Sequence, residues 1–518
     1  MSSCIAAIDA GTGSGRCVIF DSQGTQIALA SREWSHPTIP EYPGSFIFET
    51  DQNWRLLCES IREALQKARL RPDDIRGVSA TSMREGMVLY DREGKEIWAC
   101  PNVDSRARTE VSQLIEKGLA KRIYSRAGDW LAITSPPRFL WIKKHQPEIY
   151  RRTAHMTMIS DWILYRLSGS FVTDPSAGSS SNLFQLSKRT WSDEIIKWCG
   201  LPRDIFPQVF EPGTIIGEVT GHAANETGLK KGTPVVQGGA DTQLGLIGIG
   251  AVDPNNSTTI GGTFWQQTIV TDKPVIDPQF RLRTLCHAVP GLWMTEGIGF
   301  LCGLTMRWFR DAFCEREKEM AAQQGVDPYF LLEKQAENVP PGSNGIIPIF
   351  SDVMNAKRWM HASPSFIQFD INQPQRSGVK ECFRAIEESA AYVARGHMKI
   401  LDSITRRKTK EIVFCGGASK GVLWPQILAD VLGVKVKIPV VRESTALGAA
   451  ICAGVGVDLF SNLQAGKQLV KWDRVIEPDL AIHRKYLKLY DRWIEVYSRM
   501  VRLVEDNLVE PMWRAAGT

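Results

Sequence analysis

The chain has 518 residues, of which 43% are hydrophobic and 23% are charged. This balance is typical of folded globular proteins and excludes wholesale disorder. The net charge of +5 is small for such a length, and no long run of Lys or Arg concentrates it, which argues against a nucleic-acid partner. So long a chain exceeds one ordinary hydrophobic core, and we expect two domains.

The cysteines and the apolar runs of the sequence indicate in which cellular compartment the protein is located. Eleven cysteines are scattered singly, with no CxxC pair and no His cluster at metal-ligand spacing, a pattern that indicates reduced thiols in a cytosolic protein. The chain begins without a basic-then-apolar leader, so we expect no signal peptide. The apolar stretch 446–457 is too short to span a bilayer and predicts a tightly packed helix. We therefore expect a cytoplasmic protein without a membrane partner.

Strand and helix patterns alternate along the chain, which predicts an α/β fold. Apolar residues at helical spacing, such as Trp54, Leu57 and Ile61, identify the first helix. The elements predicted before residue 250 are strands at 5–10, 16–20 and 26–33, a helix at 51–69, a strand at 75–82, a helix at 160–169 and a strand at 232–241.

The pattern restarts near residue 251, again with a strand, a glycine-centred turn and a strand. The elements predicted after this point are that β–turn–β unit at 257–270, an amphipathic helix at 379–404, a strand at 411–417 and a helix at 424–433. We therefore predict an N-terminal domain of residues 1–250 and a C-terminal domain of residues 251–518, called here the N-terminal and C-terminal halves.

The first turn is rich in glycine and hydroxyl groups, "DAGTGSGR" from Asp9 to Arg16. Backbone N–H groups in such turns converge on anions. A Walker loop requires GxxxxGK[ST], which the chain lacks. A dinucleotide fingerprint requires a third glycine where Arg16 stands and a helix where a strand follows. The turn is therefore predicted to be a β-hairpin, and a plain Gly-rich hairpin without ligand stays open as the alternative.

This hairpin resembles the first phosphate loop of the actin, Hsp70 and sugar-kinase ATPases. There the glycines let the backbone approach the phosphates, the hydroxyls donate hydrogen bonds, and the acid holds Mg²⁺ through water. We expect Asp9 to take the metal role. The residues expected to contact the ATP phosphates are Gly11, Thr12, Gly13, Ser14 and Arg16.

Two later segments complete the set of loops that such an ATPase needs. "IGGTFW" at 260–265 offers Gly262 and Thr263 as a second phosphate hairpin. "FCGGASKGVLWPQILAD" at 414–430 places a glycine turn between a strand and a helix, where the backbone can lie flat against a purine. Three loops in this order favour ATP binding more than one loop does.

The chain resembles the FGGY carbohydrate kinases over nearly its whole length. This resemblance implies two RNase H-like domains of the actin/Hsp70/sugar-kinase type, with ATP and substrate in the cleft between them, and transfer of the γ-phosphoryl group to a substrate hydroxyl. The segments that carry it are "IDAGTGSGRCVIFD", "GTPVVQGGAD", "GGTFW", "GLTMRWFRD" (303–311), "GGASKGVLWPQILADVLG" and "ESTALGAAICAGVG" (443–456).

Within this family the chain is most similar to the autoinducer-2 kinases. That similarity implies the small-molecule substrate 4,5-dihydroxy-2,3-pentanedione, phosphorylated on its C5 hydroxyl to give a quorum-sensing signal. The segments that carry it are "SMREGMVLY" (82–90), "IWACPNVDSRA" (97–107), "MISDW" (158–162), "GGTFWQQ" (261–267), "LTMRWFRDAFC" (304–314) and "IPIFSDVMNAKRWMHASPSF" (347–366).

Alternatives to this substrate stay open. A pentulose kinase for xylulose or ribulose, or a glycerol kinase, would have the same fold. The segment 130–137, "WLAITSPP", lacks the aromatic residue that glycerol kinases place against their substrate. An actin-like or Hsp70-like ATPase is the alternative from another class, and a regulatory protein partner also stays open.

The resemblance implies a role for each polar residue near the acceptor. Asp241, after a buried strand and two glycines, stands where the family has its catalytic base, with helix capping as the alternative. Arg84 and Glu85 align with an Arg-Glu pair that binds substrate hydroxyls, with a surface ion pair as the alternative. Asp104, close to Arg106, is expected on a second substrate-side loop.

Other positions are assigned to the nucleotide or to the shape of the pocket. Trp265 is expected to shape a pocket for a short dicarbonyl chain, or else to pack in the core. Glycerol-type kinases often carry Gln at the position of Arg307. No role is assigned to His361 or His397. The residues expected to contact the nucleotide, besides the hairpins, are Gly303, Arg307, Gly417, Ala418, Ser419 and Gly421.

Overall fold

The structure is a computed structural model that describes residues 3–353, 359–441, 443–515 and 517. Two large sheets, one in each half, organise the chain. The strands are β1 (Cys4–Ala10), β2 (Ser14–Asp21), β3 (Gln26–Glu33), β4 (Ile75–Ser82), β5 (Met87–Tyr90), β6 (Glu96–Cys100), β7 (His155–Met158), β8 (Val172–Thr173), β9 (Phe184–Gln185), β10 (Thr190–Trp191), β11 (Gln208–Val209), β12 (Ile215–Glu218), β13 (Pro234–Ala240), β14 (Ser257–Gly261), β15 (Trp265–Thr271), β16 (Arg283–Cys286), β17 (Trp293–Gly299), β18 (Ile347–Ile349), β19 (Ser365–Ile367), β20 (Glu411–Cys415), β21 (Lys435–Pro439) and β22 (Trp472–Ile476).

Helices cover both faces of the two large sheets. They are α1 (Thr50–Ala68), α2 (Arg108–Glu116), α3 (Leu119–Ala127), α4 (Ser135–His145), α5 (Pro147–Arg152), α6 (Ile159–Ser168), α7 (Pro175–Ser180), α8 (Asp193–Trp198), α9 (Gly221–Thr227), α10 (Asp241–Gly248), α11 (Cys302–Phe313), α12 (Glu315–Gln324), α13 (Pro328–Ala336), α14 (Val379–Thr405), α15 (Leu423–Leu432), α16 (Ser444–Gly456), α17 (Gly466–Leu469) and α18 (Leu480–Glu505).

The two large sheets share one pattern of strand directions. The first has the order β12-β13-β4-β1-β2-β3, and the second has the order β16-β17-β15-β14-β20-β21-β22. In each, antiparallel strands, three in the first sheet and four in the second, lead into two parallel strands, and an antiparallel strand closes the edge. The repeat that the sequence indicated at its two glycine hairpins therefore extends over both sheets.

The central strand β1 shows why the sheet is buried on both faces. All seven of its residues are buried. Alternate side chains point to opposite faces of a strand. Cys4, Ala6 and Ile8 join the core under α1 and α6, whereas Ile5 and Ala7 join a second core that includes α16. The continuous apolar run in the sequence is thus explained by helices on both sides.

Two helices pack against each other between the sheets, α10 of the N-terminal half and α16 of the C-terminal half. Their backbones touch because small residues lie at the crossing. A Cβ at Gly448 would lie 1.9 Å from the carbonyl oxygen of Leu244, and one at Gly248 would lie 2.0 Å from that of Ser444. The core at this crossing contains residues of both halves, so the two halves are joined by a close helix pair.

The predicted α/β architecture is confirmed. The helix predicted at 51–69 is α1, which ends where Arg69 adopts the left-handed conformation, and the predicted strand at 75–82 is β4. No helix in the described ranges is long and apolar enough to cross a membrane. The eleven cysteines are all free and buried. The division at residue 250 falls between the two large sheets and stays a prediction.

Candidate active site

Three neighbouring parallel strands of the first sheet end side by side. Ser82, the last residue of β4, is in register with Ala10 at the end of β1 and with Ala240 at the end of β13. Arg84 and Asp241 follow two of these ends. The carboxyl edge of a parallel sheet is where open α/β folds place their ligands, so the predicted base and the predicted acceptor arginine lie at one site.

Asp241 is the first residue of α10, and its carboxylate is largely shielded from solvent. Its Oδ1 accepts a hydrogen bond of 2.6 Å from the N–H of Thr242. Burial raises the pKa of Asp241 to about 6; the Arg84 charge opposes this rise, and the charges of Asp9 and Glu85 add to it. The N-cap of the helix is Ala240, so the alternative that Asp241 is the capping residue is wrong. A carboxylate with such a pKa is ionised at pH 7 yet basic enough to accept a proton.

The two glycines before Asp241 are required by close packing. A Cβ at Gly238 would lie 1.9 Å from the carbonyl oxygen of Ala80, and one at Gly239 would lie 2.3 Å from the hydroxyl of Ser176. The same hydroxyl accepts a hydrogen bond of 3.0 Å from the N–H of Ala240. The backbone that carries the candidate base is therefore fixed on both sides.

The first glycine turn is a hairpin between β1 and β2, as predicted. The N–H of Gly11 donates to the carbonyl of Ser14 at 2.9 Å. The indole N–H of Trp34 lies 3.2 Å from the carbonyl oxygen of Gly11 and 3.1 Å from that of Thr12. His36 Nε2 lies 2.7 Å from the same Thr12 oxygen. Because Trp34 and His36 contact the carbonyl oxygens of Gly11 and Thr12, the turn is held in one conformation.

The remaining polar groups of this hairpin make separate contacts. The hydroxyl of Thr12 donates to Asn102 Oδ1 at 3.1 Å. Gly13 is exposed at the tip, and an added Cβ there would meet nothing within 4 Å. Ser14 begins β2 and is half-buried. The tip is thus open to a ligand, as a phosphate loop must be.

Arg16 connects the hairpin to the C-terminal half. Its Nε lies 2.8 Å from Asp9 Oδ2, and its Nη1 lies 2.9 Å from Oε2 of Glu443, the residue before α16. Burial raises the pKa of Asp9, and the adjacent Arg16 opposes that rise. Glu443 was not predicted from the sequence. Arg16 therefore binds two carboxylates, one from each half, at the predicted phosphate site.

The predicted nucleotide residues of the C-terminal half lie against one another. A Cβ at Gly303 would lie 2.1 Å from the carbonyl oxygen of Gly262, and the N–H of Gly303 donates to Thr263 at 3.2 Å. Gly416 has a positive φ of 93°, and a Cβ there would lie 2.7 Å from the carbonyl oxygen of Gly261. The second hairpin, the start of α11 and the loop after β20 thus form one surface.

The loop expected to line the adenosine is a 3-10 turn over Gly417–Lys420. Arg474 on β22 holds it from outside, since its guanidinium donates to the carbonyls of Ser419 at 2.8 Å and Gly421 at 2.7 Å. Ala418 contacts the second hairpin, where it would touch a Cβ at Gly261. Arg307 is exposed on α11, one turn beyond Gly303. The structure brings the predicted loop residues together and leaves Arg307 at their margin.

The predicted Arg84–Glu85 pair takes a different form from the one expected. Arg84 Nη1 lies 2.7 Å from Glu296 Oε1, and Glu85 Oε1 lies 2.8 Å from Arg283 Nη1. Arg84 and Glu85 are 6% and 4% exposed, so the surface ion-pair alternative is wrong. Both partners belong to the C-terminal half. The acceptor side is therefore built from both halves.

The backbone at Glu85 is strained, which marks the site as specialised. Its φ is +61°, a conformation that costs a residue with a side chain about 1–3 kcal/mol. Its N–H donates to the hydroxyl of Ser180 at 3.2 Å, and Arg138 donates to its carbonyl oxygen. These contacts hold Glu85 in a conformation that an isolated chain would avoid.

Arg283 and Glu296 were missed by sequence reasoning, as was Asp129, which lies 3.3 Å from Arg283 Nη1. One signal was available, because Glu296 is the sole acidic residue in the buried strand β17, "WMTEGIG". No local pattern singles out Arg283 among the basic residues near it. Partners from distant strands leave no trace in local periodicity.

Asp104 contributes to the support of the acceptor loop. Its Oδ2 accepts hydrogen bonds from the N–H of Phe46 at 2.8 Å and from Arg106 Nε at 2.7 Å. The Arg106 guanidinium also lies over the rings of Trp98 and Trp141, about 5 Å from each centroid. These contacts describe a buried positioning residue, and contact of Asp104 with substrate stays a prediction.

Trp265 lies in the apolar core of the C-terminal half. It is 2% exposed, and its ring centroid is 5.4 Å from that of Phe414 and 5.1 Å from that of Trp424. The packing alternative therefore describes this side chain, and the expectation that it binds substrate is corrected. His361 and His397 are buried, and burial lowers the pKa of each to about 3, in keeping with structural roles.

The carboxylate of Asp9 suits a metal ion that keeps most of its water ligands, and not an ion held by protein ligands alone. In the part of the chain that the structure describes, no group of three or more His, Cys, Asp or Glu could hold a metal ion. Asp9 lies close enough to Asp241 for its charge to raise the pKa of Asp241. Mg²⁺ commonly uses one or two carboxylates with water and substrate phosphates, and Asp9 fits that requirement.

Two glycine hairpins, a buried carboxylate at a sheet edge and two matching sheets are the features expected of an ATP-dependent phosphotransferase of the RNase H-like class. Comparison with protein families gives the same result. The FGGY family of carbohydrate kinases matches with its N-terminal domain over residues 4–248 and with its C-terminal domain over residues 260–457. The chain belongs to this family, and it transfers a phosphoryl group from ATP to an alcohol group of a small molecule.

Two relatives of similar length to this chain carry the same name. The chain is 47% identical over 517 residues to an autoinducer-2 kinase from Yersinia enterocolitica, covering 99% of this chain and 98% of that protein. It is also 47% identical to an autoinducer-2 kinase from Escherichia coli K12, covering 99% and 97%.

Solved structures confirm the predicted fold of two RNase H-like domains. A gluconate kinase from Lactobacillus acidophilus aligns with a TM-score of 0.85 at 21% identity, covering 96% of this chain and 98% of that one. A xylulose kinase from Rhodospirillum rubrum aligns with a TM-score of 0.84 at 23% identity, covering 96% and 99%. A Plasmodium falciparum glycerol kinase with ADP aligns with a TM-score of 0.81 at 20% identity, covering 96% and 98%.

Proposed function

We propose that this chain is the kinase that phosphorylates autoinducer-2, 4,5-dihydroxy-2,3-pentanedione, on its C5 hydroxyl. The observation that carries the proposal is the 47% identity to autoinducer-2 kinases over 99% of the chain. The product is phospho-autoinducer-2. The eleven free, buried cysteines support a reaction in the cytoplasm.

Asp241 acts as the general base in this proposal. The C5 hydroxyl lies against its carboxylate and gives up its proton as the hydroxyl oxygen bonds to the γ-phosphorus. The bond from that phosphorus to the β–γ bridging oxygen breaks in line, and ADP leaves with the bonding pair. The proton ends on Asp241, whose pKa of about 6 lets it accept the proton and later release it to water.

The two hairpins hold the phosphates on either side of the reacting group. The N–H groups of Thr12 and Gly13 in the first turn and of Thr263 in the second would donate to phosphate oxygens, and the adenosine would lie along the loop from Gly417 to Gly421. Asp9 would hold Mg²⁺ through water, and the bound ion would neutralise charge on the phosphates. Arg16 places a cation at the same edge.

Ion pairs that join the two halves would hold the cleft closed during the reaction. Arg84 with Glu296 and Glu85 with Arg283 join the N-terminal to the C-terminal half around the acceptor side. A closed cleft excludes water, so that ATP hydrolysis without acceptor is slow.

The experiment is ADP release with ATP, Mg²⁺ and a panel of acceptors: dihydroxypentanedione, glycerol, xylulose, ribulose and none. We expect turnover with dihydroxypentanedione alone. Turnover with a pentulose or glycerol instead would retain the fold and mechanism and remove the proposed substrate. Equal ADP release without any acceptor would contradict the kinase mechanism. The solved xylulose and glycerol kinases are 20–23% identical to the chain and carry no argument for those substrates.

A further inference from the structure

We propose that Arg283, oriented by Glu296, binds the acceptor from the C-terminal half and selects acceptors that are uncharged and rich in oxygen. The identity of the acceptor, a vicinal dicarbonyl, rests on the function proposed above. The role of Arg283 itself rests on geometry.

Arg283 lies at the centre of a buried network of charges. Its Nη1 lies 2.8 Å from Glu85 Oε1 and 3.3 Å from Asp129 Oδ2, and its Nε lies 2.5 Å from Glu296 Oε1. The same Glu296 oxygen lies 2.7 Å from Arg84 Nη1. The five side chains come from both halves of the chain, and two of them, Arg84 and Glu85, are the predicted acceptor residues.

The Nη2 group of the Arg283 guanidinium is available to bind a ligand. Nε and Nη1 donate to carboxylates, whereas Nη2 donates no hydrogen bond to any residue within the described ranges. The side chain is 13% exposed, and Nη2 is not among the polar atoms that are buried without a partner. A guanidinium has five donors in a fixed fork. Its remaining donors therefore face space that an acceptor oxygen can fill.

The charges of the network decide what kind of acceptor fits. Two guanidinium groups face three carboxyl groups, so the site has no excess of positive charge to offer an anion. Arginine donors and carboxylate acceptors side by side match carbonyl and hydroxyl oxygens in one small molecule. This balance favours dihydroxypentanedione, which carries both groups and no charge, over an acceptor with a carboxylate.

Glu296 is a positioning residue, because it holds both arginines with one oxygen. It lies on β17, in register with Thr268 of β15. A Cβ at the next residue, Gly297, would lie 2.1 Å from the ring of His397, which fixes the strand against α14. The strand β15 begins directly after the second phosphate hairpin. The acceptor arginine and the phosphate hairpin are therefore parts of one rigid sheet.

A purely structural latch between the halves is the competing explanation. It predicts that loss of Arg283 lowers stability and weakens ATP and acceptor use alike. An acceptor-binding role predicts a selective effect, because the hydrogen bonds of Arg283 within the described part of the chain go to Glu296, Glu85 and Asp129 and not to the nucleotide loops. The latch explanation therefore predicts that the KM values for ATP and for acceptor both rise, whereas acceptor binding predicts that only the acceptor KM rises.

The test compares Arg283→Gln and Arg283→Lys with the control Arg281→Gln. Arg281 makes its ion pair with Asp277, at 3.0 Å, and takes no part in the network. We expect Arg283→Gln to raise the acceptor KM at least tenfold with the ATP KM changed less than twofold, and Arg283→Lys to recover part of the loss. The control should match the wild type in both constants.

Equal increases in both KM values, or an unchanged acceptor KM, would overturn the proposal. Calorimetric titration of each variant with acceptor alone gives a second readout, in which we expect the same tenfold weakening for Arg283→Gln. The assays use whichever acceptor the wild-type chain phosphorylates. If that acceptor is a pentulose, the proposed substrate fails while the role of Arg283 is still decided. If the wild type phosphorylates no acceptor, both proposals fail.

Discussion

Arg84 and Glu296 form a buried ion pair of 2.7 Å although 212 residues separate them in the chain. The pair joins the edge of the first sheet, where Asp241 lies, to the second sheet, which carries a phosphate hairpin. A buried pair of this kind is costly to break, since the charge that remains is left without a partner. This ion pair therefore helps to fix the position of the candidate base relative to the second hairpin.

Asp241→Asn should abolish phosphoryl transfer while nucleotide still binds. Removal of a general base reduces turnover by about 10²–10⁴-fold, whereas the hairpins are untouched. The measurement is turnover with acceptor beside ADP binding by calorimetry. Full turnover in this variant would remove Asp241 from the role of base.

The pH dependence of kcat/KM should report the same carboxylate. Because burial raises the pKa of Asp241 to about 6, the base is protonated below that pH, and the rate should fall about tenfold per unit on the acid side. The charge of Arg84 lowers this pKa, so Arg84→Gln should move the acid limb to higher pH. A limb near pH 4 in the wild type would contradict the assignment.

Asp241→Asn should also stabilise the fold at pH 7. A carboxylate with a pKa of about 6 when folded and about 4 when unfolded disfavours folding wherever it is ionised, by up to about 3 kcal/mol. Asparagine removes that cost. The increase in Tm should be largest above pH 6 and vanish below pH 4, where the acid is protonated in both states. A pH-independent change in Tm would show that repacking, and not charge, is responsible.

Gly303→Ala should impair ATP use, because its Cβ would lie 2.1 Å from the carbonyl oxygen of Gly262 and would displace the second hairpin. We expect the ATP KM to rise at least severalfold. Gly221→Ala is the matched control, since this helical glycine has no neighbour nearer than 3.9 Å. An unchanged ATP KM in Gly303→Ala would show that the hairpin accommodates the methyl group.

Thr12→Ala should weaken ATP use more than acceptor binding. The Thr12 hydroxyl lies at the hairpin tip and donates to Asn102. The KM values for ATP and for acceptor, measured side by side, test this. If the ATP KM and turnover match the wild type, the hydroxyl is not a phosphate ligand.

Features that depend on neighbouring residues were predictable from the sequence. The hairpin after β1, the helix α1 and the strand ending at Asp241 each follow from periodicity and glycine placement within a short window. The pairing of Arg84 with Glu296 was not predictable, because it depends on how two sheets meet. Trp265 illustrates the same limit, since only tertiary packing distinguishes a core indole from one that lines a pocket.

The most direct test of the central claim is the structure of the product. The chain is incubated with ATP, Mg²⁺ and ¹³C-labelled dihydroxypentanedione, and the product is examined by ³¹P and ¹³C NMR. We predict one phosphorylated product whose phosphorus couples to C5, formed by the wild type and not by Asp241→Asn. A product phosphorylated on a hydroxyl of another carbon, or product formed equally by the variant, would contradict the account.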